Sequence, residues 1–112
     1  MGNNNLQKAL VYLRRSYDKN ELSLSAQLNW AMIETTKQQI HLDASQEDLQ
    51  YMIGNGLSSF RSIRIDDGIT GADMSRPGFQ AVLRDVDTDR SITHIFARPS
   101  PLVGGNPVSP RR

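Results

Sequence analysis

The apolar positions along the chain change period several times, and each change marks an element. Ala9-Leu10-Val11-Tyr12-Leu13 is a short apolar run of the length of a buried strand, and polar Arg14 to Asn20 reads as the loop leaving it. Ser23 offers an N-cap, after which Leu24, Leu28, Ala31, Met32 and Thr35 recur at helical spacing to about Ile40. Trp30 and Ile33 widen that apolar face. Ser45-Gln46-Glu47-Asp48 has the form of a capping box for a shorter helix carrying Leu49, Met52 and Ile53, with Gly54-Asn55-Gly56 as its stop. Ser62-Ile63-Arg64-Ile65 alternates with period two and runs into the turn-rich Asp66-Asp67-Gly68. Pro77 suits the first position of a further helix with Phe79, Val82, Leu83 and Val86 on one face, and Ile92 to Ala97 reads as a third strand. Proline and glycine accumulate from Pro99 onward and end regular structure. This order predicts an α/β fold, and right-handed crossovers make its three strands parallel.

Composition narrows the class. A chain of 112 residues holds one small domain, and with 38% hydrophobic residues and a mean hydropathy of −0.49 its core is thin. No run approaches the length of a membrane span, and Met1-Gly2-Asn3-Asn4-Asn5 has neither the basic stretch nor the apolar run of a secretory signal. The absence of cysteine excludes disulfides, a thiol nucleophile and cysteine-ligated zinc, so the expected setting is the cytoplasm. The 13 basic and 12 acidic residues nearly cancel, which leaves little bulk attraction for DNA. Ten of the 13 are arginine, the better bidentate partner for phosphate, although a GC-rich genome produces the same bias.

In an open α/β sheet ligands gather at the carboxyl ends of the strands. Three polar clusters fall there: Arg14 to Ser16, Asp67 to Arg76, and Arg98 to Ser100. A serine hydroxyl beside a guanidinium suits attack on a phosphodiester, because the arginine orients the phosphate and stabilises developing charge. No histidine is near enough in sequence to point to a Ser-His-Asp site. The plainer alternative is that Ser16 caps a turn and the arginines are solvated.

The order of the motifs resembles the serine recombinase family of resolvases and invertases. Tyr12-x-Arg14-x-Ser16, Ser23-Leu24-x-x-Gln27, Asp67-Gly68-Ile69-Thr70-Gly71 and Arg76-Pro77-Gly78-Phe79 match Y-x-R-x-S, S-L-x-x-Q, D-x-x-S-G and R-P-G in sequence. The resemblance spans about residues 9 to 104 and implies a resolvase-like three-layer fold with a mainly parallel sheet. It implies Ser16 as the nucleophile that forms a 5′-phosphoserine link to DNA, and Arg14 and Arg76 as ligands of the scissile phosphate. Gln27 and Asp67 match polar supports of the site, and Thr70 stands where the family usually has serine. The implied partner is DNA, in a homo-oligomer, with no metal or other cofactor.

Departures from the pattern carry their own expectations. The family's D-R-L-x-R aligns with Ser100-Pro101-Leu102-Val103-Gly104, so Pro101 and Gly104 replace both arginines. Losing a positioned cation at a phosphoryl site costs on the order of two to four kcal/mol, about a hundredfold or more in rate. Residues 1–104 are therefore expected to form a partial catalytic domain and 105–112 a disordered tail, without the family's long dimerisation helix or DNA-binding region. An uncovered sheet edge and apolar face are expected to follow, and cleavage by this chain alone is expected to be undetectable. Two further readings stay open: a non-catalytic remnant that associates with an intact recombinase, and an unrelated α/β domain for a phosphorylated small molecule. His41 and His94 read as packing residues, Asp85, Asp87 and Asp89 as a solvated helix end, and Trp30 and Phe79 as core.

Overall fold

The computed structural model describes residues 7–15, 22–67 and 76–97. Strand β1 (Lys8–Arg15) is followed by helices α1 (Leu24–Gln38) and α2 (Gln46–Asn55), strands β2 (Ser59–Phe60) and β3 (Ile63–Asp67), helix α3 (Pro77–Thr88) and strand β4 (Ile92–Phe96). The helix limits follow local chemistry. The Ser23 side chain accepts from Ala26 N at 3.1 Å and starts α1, which ends where Gln39 turns left-handed at φ 59°. That stop lies just short of the expected Ile40. Ser45 accepts from Asp48 N at 3.1 Å to start α2, Glu47 and Asp48 lie at its positive end, and Gly56 closes it at φ 66°.

The sheet has the order β2-β3-β1-β4. β1 runs parallel to β3 and to β4, so the three expected strands are parallel. A fourth, β2, pairs antiparallel with β3 through Ser59↔Arg64 and Phe60↔Ile63, which makes the sheet mixed. Two residues are too few to leave a periodic trace, which is why the pattern did not reveal it. Arg61 turns the chain between β2 and β3 at φ 53°, with its guanidinium 5.1 Å from the Phe60 ring centroid.

Helices lie on both faces. The odd-numbered β1 residues Ala9, Val11 and Leu13 join Ile63, Ile65 and Phe96 against Leu24, Leu28 and Ala31 of α1 and Leu49 and Met52 of α2. This is the main core, and each fully buried large side chain in it is worth about 1.5–3 kcal/mol of transfer free energy. Trp30, expected in the core, is half-buried and packs its ring edge-on against Phe96 at 5.9 Å at the margin of that core.

The opposite face of β1 and β3 takes α3, which buries only Gly78, Ala81 and Val82. The helix packs mainly on β3 and less extensively on β1. Leu83 at 50%, Ile95 at 45% and Phe79, expected in the core, at 38% stay exposed. Leu83, Val86 and Ile95 line an open apolar step with Asp87 and Arg90 at its rim. The uncovered apolar surface anticipated from the sequence is present among the described residues, at the β4 side.

The helix end at Asp85, Asp87 and Asp89 is partly to fully exposed, and two of its carboxylates are also engaged by neighbours. Asp85 Oδ2 accepts from Nε and a terminal nitrogen of the buried Arg64 at 3.0 and 2.6 Å. Asp89 accepts from Ser91 N and Oγ at 2.9 and 2.6 Å and pairs with Lys8 at 3.2 Å. His94 lies against Phe96, its Nδ1 2.8 Å from Thr93 Oγ1, and His41 is exposed beside Lys8. No described helix is long and apolar enough to cross a membrane.

Candidate functional site

The site forms where β1 and β3 end beside the start of α3. Strand alternation turns Tyr12 and Arg14 of β1, and Arg64 and Asp66 of β3, toward the α3 face. Register places Arg14 opposite Asp66 and Arg15 opposite Asp67.

Asp66 organises this corner. It is 2% exposed, yet its carboxylate is fully engaged: Oδ1 accepts from Gly78 N at 2.8 Å, and Oδ2 accepts from Phe79 N at 3.0 Å and from the Tyr12 hydroxyl at 2.7 Å. Arg76, the residue preceding α3, is left-handed at φ 37° and supplies no side-chain cap; Pro77 needs none for its own nitrogen. The first free N–H groups of the helix are thus satisfied from the neighbouring strand, with a negative charge at the positive end of the helix dipole. Gly78 permits the approach, since a Cβ there would collide with the Ile65 backbone.

Tyr12 is held as a neutral phenol. Burial raises its pKa most, the hydrogen bond to Asp66 and that residue's negative charge raise it further, and the positive charges of Arg76 and Arg14 oppose the shift. Arg14 follows Tyr12 by two residues on the same face of β1, and Arg76 directly precedes the helix start whose N–H groups Asp66 holds, so the backbone brings both arginine positions to this corner. The Nε atoms of both are buried, and that of Arg76 has no hydrogen-bond partner among the described residues. The Phe79 ring covers Tyr12 at 5.7 Å between centroids.

Gln27 sits at the same corner as a backbone clamp. Its Oε1 accepts from Arg14 N at 3.2 Å, and its Nε2 donates to Arg14 O at 2.9 Å and to Leu22 O at 3.0 Å. The side chain, 6% exposed, ties the carboxyl end of β1 to the chain entering α1 and fixes the backbone from which Arg14 projects.

Asp67 behaves differently. It forms an exposed pair with Arg15, Nε to Oδ1 at 3.1 Å and a terminal nitrogen to Oδ2 at 3.3 Å. Alternation puts that pair on the α1/α2 face, and Asp67 borders a small cleft with Met52, Ile53 and Ile65 there. The carboxylate that approaches Tyr12 and the start of α3 is Asp66, which lies one residue before the D-x-x-S-G match. The period-two pattern of Ile63 and Ile65 against Arg64 and Asp66 was the available signal. Ser16 and Thr70 lie outside the described residues.

Chemically, the corner joins two arginine positions, a neutral phenol and a clamped strand end, with one carboxylate already saturated by its neighbours. Such a donor set suits a tetrahedral oxyanion. Among the described residues no three metal-ligating side chains come together. Compared with protein-family models, with curated proteins and with solved structures, the chain matches none.

Proposed function

We propose that the chain is a serine-recombinase-type catalytic unit with its phosphate-binding half in place and its cleavage chemistry impaired. The observation that carries this reading is the Asp66 carboxylate, which joins Tyr12 of β1 to Gly78 N and Phe79 N and so brings the chain positions of Arg14 and Arg76 to one corner, at the carboxyl end of β1 directly before Ser16 in the chain. In the reaction, Ser16 Oγ attacks the phosphorus of a DNA phosphodiester, forms a 5′-phosphoserine bond and releases the 3′-hydroxyl. Arg14 and Arg76 hold the non-bridging oxygens and offset the charge that builds in the transition state. Asp66 and Tyr12 keep the start of α3, and so Arg76, in position. Pro101 and Gly104 stand where the family pattern has its further arginines, and that loss is the reason for weak or absent turnover.

The test is incubation of the purified chain with supercoiled plasmid carrying candidate crossover sites, followed by a search for covalent protein–DNA adducts. The native chain is expected to give none, and a Pro101→Arg/Gly104→Arg double variant to gain an adduct that Ser16→Ala abolishes. An adduct that survives Ser16→Ala, or no gain in the double variant, overturns the reading. An adduct from the native chain that Ser16→Ala removes overturns the impairment and keeps the nucleophile.

A second reading, a non-catalytic module that associates with another recombinase subunit, is favoured by the uncovered step at Leu83, Val86 and Ile95 beside the β4 edge. It needs no cleavage by this chain. Stable association with an intact recombinase, lost on Leu83→Lys, in a chain whose double variant stays inert favours it over the first.

A further inference from the structure

We draw no further inference here: the strongest candidate, the apolar step where Leu83 and Val86 of α3 stand beside Ile95 of the β4 edge, adds nothing to the second reading above because nothing in the structure shows what covers it.

Discussion

The Tyr12 hydroxyl donates to Asp66 Oδ2 at 2.7 Å, and through that bond the end of β1 is tied to the carboxylate that caps α3. Strand, neighbouring strand and helix therefore share one buried acceptor. Asp66→Asn keeps the shape but removes the charge and places an N–H₂ group where one of three donors must be met. A loss of about 1–3 kcal/mol in folding stability is expected, read from the urea midpoint. An unchanged midpoint would show that the cap contributes nothing.

Two glycines separate close packing from intrinsic helix propensity. Gly78→Ala drives a methyl group into the Ile65 backbone and should cost about 1–3 kcal/mol, with α3 displaced from β3. Gly54, inside α2 with open space around its missing Cβ, should respond the other way, Gly54→Ala stabilising by about 0.5–1 kcal/mol. Equal effects in thermal melts would contradict the packing of α3 on β3.

Acid should expose the Asp89 turn. The Ser91 hydroxyl and N–H, then Lys8, lower Asp89 from its ordinary 3.8 to about 2. Because the folded value is depressed, the stabilisation is present above the ordinary value and fades as pH falls through about 2. Asp89→Asn should flatten the stability profile between those two values and leave the neutral range nearly parallel to the native curve. An acid limb identical to that of the native chain would refute this assignment.

At the alkaline end the sign reverses. Burial and Asp66 raise the Tyr12 phenol, so its contribution holds below the ordinary tyrosine value of about 10 and is lost only as pH rises through the higher folded value. Ultraviolet difference titration should show a phenol that ionises late, or only on unfolding, and that is missing in Tyr12→Phe. A late component that persists in the variant would place it on another tyrosine.

The parts of this arrangement differed in how far the sequence revealed them. Elements with several periods or a cap were readable: Ser23 and Ser45 announce α1 and α2, Pro77 announces α3, and apolar runs mark β1 and β4. β2 was not, because Ser59 and Phe60 show no periodicity and gain their partner only when β3 folds alongside. Phe79 has the spacing of a core residue, but α3 buries only Gly78, Ala81 and Val82, so the flank that carries Phe79 and Leu83 stays exposed. At the site, Arg14, Arg76 and Gln27 fall at one corner, while adjacent Asp66 and Asp67 could be told apart only by which face of β3 each occupies. Neighbours in a strand point to opposite sides, and motif spacing does not record that.

In the proposed function Arg14 and Arg76 form one oxyanion site. A heteronuclear NMR titration that follows the arginine Nε–H signals, at constant ionic strength, tests it most directly, with inorganic phosphate and then a short DNA duplex as ligands. The Arg14 and Arg76 signals should move together and saturate, while those of Arg61 and Arg64, which lie away from this corner on Asp48 and Asp85, stay put. Arg76→Gln should abolish the response at Arg14 as well. Signals that move independently, or a response confined to the exposed Arg15, would overturn the shared site.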